Sequence, residues 1–329
     1  MKQVPPGRSV EVRVPASSAN LGPGFDSIGL ALGLWDRYVV TTSDSGGLSI
    51  QVTGEGAGDV PTDDRHLVHS TMRHTWGVLG VDPPAGLRIE ATNGVPHSRG
   101  LGSSATAIVA GVVAAQALSA GLGVRGDEGA YAGWPAPGQP VPVDLGLAVD
   151  LSSRLEGHPD NASASVLGGL TVSWMPDGTG LDRGEQTVSA RIGLHPDVEV
   201  VVFVPDTQLA TRTARAVLPA TVPLAAAAAD AGRAALLVHA LATDPSHLHA
   251  ATRDWLHQEA RRSSYPETMD LVDRLRSRGH AAVVSGAGPS VLVLSTRGSV
   301  EHVQAGDLAP GWERLVPGVP SHGACVRAH

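Results

Sequence analysis

Near the start of the chain Val10, Val12 and Val14 alternate with Glu11 and Arg13. Successive side chains of a strand face opposite ways, so this period of two predicts a half-buried β-strand. Pro15 is expected to end it, with a turn-rich stretch over residues 16–25. Residues 37–42, 48–53 and 87–91 read as further strands. Residues 66–79, 105–124 and 144–155 carry the longer apolar spacing of helices, and residues 166–174 return to extended structure. Beyond a polar, Gly-containing stretch at 176–191, a long hairpin or connector, residues 198–204 form a strongly apolar strand. Residues 207–218, an alanine-rich helix at 218–242 and a helix at 269–278 follow, and residues 281–295 read as strand, Gly-Ala-Gly-Pro turn, strand.

Both halves therefore mix helix and strand, an α+β pattern. A boundary near residue 185 divides the chain into residues 1–185 and 186–329. Residues 131–143, rich in Pro and Gly, predict a surface loop with the length of an insertion. A chain of 329 residues, 42% hydrophobic, is long enough for a large core. The 105–124 helix has about the ~20 residues a membrane span needs. Gln116 near its middle and the missing basic flank favour a buried helix in a soluble fold. Asp230 and Arg233 interrupt the alanine-rich helix in the same sense, and residues 1–9 lack the apolar centre of a secretory signal. The expected compartment is the cytoplasm.

A formal net charge of −8 argues against a general affinity for nucleic acid or anionic membrane. The single cysteine, Cys325, excludes an intrachain disulfide framework. Candidate chemistry gathers in five places. Residues 94–106 read Gly-Val-Pro-His-Ser-Arg-Gly-Leu-Gly-Ser-Ser-Ala-Thr and run directly into the 105–124 helix. A helix N-terminus offers unpaired N–H groups and positive dipole charge to an anion. Gly100 and Gly102 would let the backbone approach that anion. Ser103 or Ser104 would either cap the helix or offer a hydroxyl to a phosphate-bound metal. No Gly-Lys-Ser/Thr follows, so this is not a Walker P-loop; an ordinary glycine loop with a serine cap would read the same.

Asn20 and Asp26 sit among small residues around Gly22, Pro23 and Gly24, as a site for a small polar ligand requires. Glu156-Gly-His-Pro-Asp-Asn161 reads as a polar loop in which a carboxylate could hold Mg²⁺ and His158 or Asn161 could orient a substrate. Residues 285–290 form a glycine turn between apolar strands. Arg215, Arg261 and Arg262 supply guanidinium groups suited to a carboxylate, and Thr211 precedes the first of them. His66, His69, His74, His247 and His249 lack partner cysteines or a zinc-protease spacing and read as solvated histidines. No Gly-x-Ser-x-Gly elbow is present.

Taken in this order, the clusters resemble the GHMP kinase superfamily, the galacto-, homoserine, mevalonate and phosphomevalonate kinases. Residues 96–106 look like its phosphate motif and residues 285–290 like its C-terminal glycine motif. The opening Val14-Pro-Ala-Ser-Ser-Ala-Asn-Leu-Gly-Pro-Gly-Phe-Asp-Ser-Ile-Gly29 is similar to homoserine kinases in particular, as are residues 156–161, 211–219 and 256–261. The resemblance implies a two-domain α+β fold: an N-terminal, ATP-binding domain like the second domain of ribosomal protein S5, and a ferredoxin-like C-terminal domain.

It further implies ATP phosphates on Pro96, His97, Ser98, Arg99, Gly100, Leu101, Gly102, Ser103, Ser104, Ala105 and Thr106. Mg²⁺ would be held by Ser104 and Glu156. Homoserine's amino end would meet Asn20 and Asp26, its hydroxyl side His158 and Asn161, and its carboxylate Arg215 and Arg261 beside Thr211. Asp26, Asn161 and Arg215 would stand closest to the chemistry, Asp26 orienting the substrate, with a base role left open. The implied product is O-phospho-L-homoserine, on the way to threonine. The partner is a small molecule rather than nucleic acid or membrane, and a homodimer is compatible with the chain. Ala228, Asp230 and Ala260 differ from the family pattern. They keep open another small hydroxylated acceptor, while a noncatalytic nucleotide-binding homologue is the reading from a different class.

Overall fold

The computed structural model describes residues 2–123, 134–175, 186–304 and 311–329. Its first half runs β1 (Lys2–Gln3), β2 (Ser9–Asn20), β3 (Gly24–Ser43), β4 (Gly47–Gly54), α1 (Leu67–Leu79), β5 (Val81–Asp82), β6 (Gly86–Asn93), α2 (Ser103–Leu118), α3 (Leu145–Glu156), α4 (Pro159–Leu167) and β7 (Leu170–Trp174). Then come β8 (Val188–Ile192), β9 (Val198–Pro205), α5 (Thr211–Ala216), α6 (Leu224–Ala242), α7 (Leu248–Ala251), α8 (Pro266–Ser277), β10 (Ala281–Val284), β11 (Val291–Thr296), β12 (Trp312–Leu315) and β13 (Cys325–Ala328).

The first sheet has the order β13-β2-β3-β6-β4, and β1 and β5 make a small parallel pair beside it. β3 is twenty residues long and, opposite β2, serves two neighbours on its other edge: residues 28–30 pair with β7 and residues 37–43 with β6. Pro15 does not end β2. The strand continues to Asn20 through a register shift between Pro15 and Ala16, where a residue lacking an N–H is tolerated. The expected turn at 16–25 thus shrinks to a tight reversal, and Ser17, Ser18 and Asn20 are buried strand residues.

Val10, Val12, Val14, Val40 and Ile89 of this sheet pack with Val68, Met72 and Trp76 of α1 and with the apolar length of α2. α2 has no polar face because it is enclosed on all sides, as the buried-helix reading required. It ends at Leu118, short of residue 124, where the Ser119 hydroxyl donates to Ala115 O at 2.8 Å.

The second sheet has the order β10-β11-β9-β12, with every pairing antiparallel. Counted along the chain within that sheet the order is 2-3-1-4, the ferredoxin-like arrangement. In β9, Val201 and Phe203 face α8, while Val198, Val200, Val202 and Val204 face the opposite way. That second face packs with Leu237, Ala240 and Leu241 of α6 and with Ala16, Leu21, Leu30 and Leu32 of the first half. One hydrophobic core therefore joins the two halves.

Two strands beyond residue 185 return to the first sheet: β8 pairs with β7, and β13 pairs with β2. The stretch 176–185 itself lies outside the described residues, as does 131–133 of the expected loop. From the remainder of that loop, Val141 N and Gly138 N donate to Val326 O and Ala328 O, which lays it along β13. Among the described residues one helix, α6, is long and apolar enough to cross a membrane, and its C-terminal end lies in the core shared with β9.

Candidate active site

The loop between β6 and α2 is held from both halves of the molecule. Gly102 is the N-cap of α2 in left-handed conformation, with no side-chain cap. The serines therefore do not take the capping role; they are the first two helical residues, and no side chain caps the N–H groups of that turn. Gly100 is also required by packing within the protein. A Cβ there would meet Ser285 O and Gly288 O, so glycine is needed for the close approach to the 285–290 turn. That turn bolts the loop in place: Ser285 Oγ donates to Gly100 O at 2.6 Å and Ser290 N to Arg99 O at 3.3 Å, while Gly286 N donates to Ala19 O of β2 at 3.1 Å. Arg99 is also a link between the halves, donating to Pro205 O at 2.8 Å and Asp206 O at 3.0 Å.

One pocket lies at this junction. Its wall includes Asn20 and Asp26 from the β2–β3 region, Ser98, Gly100, Gly102, Ser103 and Ser104 from the loop, and Glu156, His158 and Asn161 from the α3–α4 corner. Thr211, Arg215 and Arg261 close it from the second half. Residues 156–161 are not a loop, as the sequence suggested. Glu156 ends α3, Gly157 turns the chain in left-handed conformation, and Pro159 opens α4 with His158 at its N-cap. This tight corner aims Glu156, His158 and Asn161 at the start of α2. Pro96, Leu101, Ala105 and Thr106 lie outside the wall, and Leu101, Ala105 and Thr106 are buried behind it. Arg262 points away, paired with Glu259 and Asp273.

Several polar groups in the pocket are held by a second one. Asn20 Nδ2 donates to Gly286 O at 3.0 Å, and its Oδ1 accepts from Asp26 N at 3.0 Å. Asp26 forms an ion pair with Arg215, whose guanidinium also lies 5.6 Å from the Phe25 ring centre. Arg261 is 3% exposed: its Nε donates to Ala214 O at 3.0 Å, and its Nη1 donates to His257 Nδ1 at 2.8 Å. The opposite edge of His257 donates to Gly22 O at 2.8 Å. Burial and the neighbouring Arg261 charge push His257 down, against Asp254, which keeps the ring neutral in that tautomer.

At the helix start, Ser104 Oγ donates to Glu156 Oε2 at 2.9 Å, bringing a hydroxyl and a carboxylate together. Burial pushes the Glu156 carboxyl up, offset in part by His158 and Ser104. For His158 burial acts downward, but Asp160, 3.2 Å from its Nδ1, together with Glu156 and Asp26, outweighs it and raises the imidazole. Asp160 also accepts from Asn161 N at 2.8 Å, and Asn161 Oδ1 accepts from Ser17 Oγ at 3.1 Å. Two hard oxygen donors at an uncapped helix terminus suit Mg²⁺.

A second cavity opens across the same serines. Tyr38, Val60, Pro61, His66, Asn93, His97 and Ala107 line it, with Ser98, Ser103 and Ser104 shared between the two. Apart from His97 and the serines, sequence reasoning missed these residues. His66, set aside as a solvated histidine, is 5% exposed on this wall. His247 is at the surface, 3.4 Å from Asp244, which caps the short helical turn after α6. The departures from the family pattern stand apart from the first pocket. Asp230 is buried against Trp255 N at 3.0 Å, and burial pushes its carboxyl up to about 6, against the Trp255 hydrogen bond. Neither it nor Ala228 nor Ala260 belongs to the pocket wall.

Fold and site define a class. The family described as the GHMP kinases N terminal domain matches residues 66–169, and GHMP kinases C terminal matches residues 228–306. The chain is 46% identical to the homoserine kinase of Streptomyces coelicolor over 299 residues, 90% of this chain and 88% of that one. It is also 46% identical to the homoserine kinase of Cutibacterium acnes over 302 residues, 92% and 94% of the two chains. A solved homoserine kinase from Cytophaga hutchinsonii superposes with a TM-score of 0.78 at 24% identity, over 97% of each chain. The chain belongs to the homoserine kinase family.

Proposed function

We propose that this enzyme transfers the terminal phosphoryl group of ATP to the side-chain hydroxyl of L-homoserine, giving O-phospho-L-homoserine and ADP. The observation that carries the reading is the convergence of Arg215 and Arg261 with Asn20, Asp26, His158 and Asn161 on a pocket bounded by Ser103 and Ser104. The two arginines take the acceptor's carboxylate. Asp26 and Asn20 Oδ1 take its ammonium, and Asn161 with His158 positions the hydroxyl near the α2 terminus. A new oxygen–phosphorus bond forms as the bond to ADP breaks, and the hydroxyl proton leaves late, toward the transferred phosphate. Such a transition state is loose, so positioning and charge neutralisation dominate. The first-turn N–H groups of α2 receive the charge on the phosphates, and the cavity lined by Tyr38, Val60 and Asn93 would hold the nucleotide's base. Mg²⁺, when bound, would neutralise phosphate charge, with Ser104 and Glu156 as its protein donors.

In this reading residues 1–185 form the ATP-binding domain and residues 186–329 the C-terminal domain, with β8 and β13 crossing back. The reaction would run in the cytoplasm, in threonine biosynthesis. The test is ADP release with Mg·ATP, comparing L-homoserine with other hydroxylated amino acids, mevalonate and sugars. Homoserine-selective turnover is expected; preference for another acceptor overturns the substrate, and turnover with none overturns the kinase reading.

A further inference from the structure

Asp36 of β3 lies outside both cavities and is 1% exposed. Nothing in the acceptor chemistry uses it, yet a buried carboxylate needs a reason to be there. Its Oδ1 accepts from Gly94 N at 2.9 Å and Val95 N at 3.0 Å, the two residues that lead into the phosphate loop. Its Oδ2 lies 2.5 Å from Thr106 Oγ1, on the last residue of the phosphate motif, in the first turns of α2. Thr106 in turn closes the first helical turn, its N–H donating to Gly102 O at 2.8 Å while its hydroxyl lies 2.8 Å from Ser103 O. The same Oδ2 accepts from Tyr38 Oη at 3.3 Å, and Tyr38 lines the second cavity. One side chain thus touches both ends of residues 96–105 and a wall residue of the adjoining cavity.

We infer that Asp36 is a positioning residue that braces both ends of the phosphate loop and so fixes the α2 N-terminus for ATP. The inference rests on the proposed use of that loop. It differs from the clamp at residues 285–290, which holds the middle of the loop from the second half. The brace works through hydrogen bonds rather than charge. An asparagine at position 36 keeps an acceptor for Gly94 and Val95 and offers N–H to Thr106, whose hydroxyl then donates to Ser103 O. An alanine leaves two N–H groups without their acceptor, and valine at position 106 severs only the far end.

The experiment has two readouts on purified full-length protein: hydrogen exchange across residues 94–106, and KM for ATP and for homoserine. Asp36→Ala and Thr106→Val should speed exchange in that segment and raise KM for ATP at least about tenfold, since one or two buried hydrogen bonds are lost. KM for homoserine should change less than about threefold, and Asp36→Asn and Thr106→Ser should restore both readouts. If Asp36→Ala does not fold, Thr106→Val with its serine rescue decides alone. Unchanged exchange in Thr106→Val, or equal rises in both KM values, overturns the brace. Wild-type protein with no ATP turnover overturns the kinase reading instead, and the exchange measurement still judges the brace.

Discussion

The two cavities that share Ser98, Ser103 and Ser104 are built on opposite principles. The pocket proposed for the acceptor draws on both halves of the molecule and is crowded with paired polar groups: Asp26 with Arg215, Arg261 with His257, and His158 with Asp160. The neighbouring cavity comes from the first half alone, where Val60, Pro61, Leu67 and Ala107 alternate with Tyr38, Arg65, His66, Asn93 and His97, and its lining holds no carboxylate. A small zwitterion must be recognised by charge and direction, so its pocket needs particular residue types. A flat aromatic base needs mainly a slot of the right shape. Damage to the first region should therefore fall on the acceptor, and damage to the second on ATP.

The sharpest way to break this division is Arg261→Ala. The substitution removes a buried charge and leaves His257 Nδ1 and Ala214 O without their donor. kcat/KM for homoserine should drop by about 10²–10³-fold, the cost of truncating a buried hydrogen-bonded charge. KM for ATP should hold within about threefold, and steady-state kinetics in both substrates reads the split. Arg215 is more exposed and already compensated by Asp26, so Arg215→Ala should cost about 10–100-fold in the same quantity. On the other side, Val60→Trp overfills the second cavity and should raise KM for ATP about fivefold with homoserine unaffected. A matched rise in both KM values would show that the two regions do not act separately.

The smallest effect concerns pH. His158 is raised in the folded state, chiefly by Asp160 against the opposing effect of burial. Its stabilising contribution is therefore complete below the unfolded value of about 6.5 and is lost as pH rises through the folded value. Melting temperatures of wild type and His158→Gln should diverge on the acidic side and converge above that range.

The same contrast explains what could be read in the chain. Asn20, Asp26, His158, Asn161, Arg215 and Arg261 were legible because their side-chain chemistry is distinctive and their motifs follow a recognisable order. Tyr38, Val60, Pro61 and Asn93 were not, since an apolar or tyrosine wall residue has the same local pattern as a core residue. Asp36 stands just before the strand expected at 37–42, and nothing in the local sequence says that its carboxylate is buried or what it grips. Pro15 misled for a physical reason: a register shift lets β2 run past it to Asn20. The α3–α4 corner was hidden because Gly157, His158 and Pro159 read as a loop, although a glycine C-cap followed by a helix-starting proline is equally consistent with two helices meeting. Strands β8 and β13 could not be placed, because sheet membership depends on partners far away in sequence.

The most direct test of the account compares L-homoserine with 3-aminopropanol, the same molecule without its carboxylate, in wild type and in Arg215→Ala. With Mg·ATP saturating, the account predicts that losing the carboxylate costs wild type about 100-fold or more in kcat/KM, and that Arg215→Ala shrinks this ratio by about tenfold. The same ratio in both proteins would contradict it, because Arg215 would then not be reading a carboxylate at all.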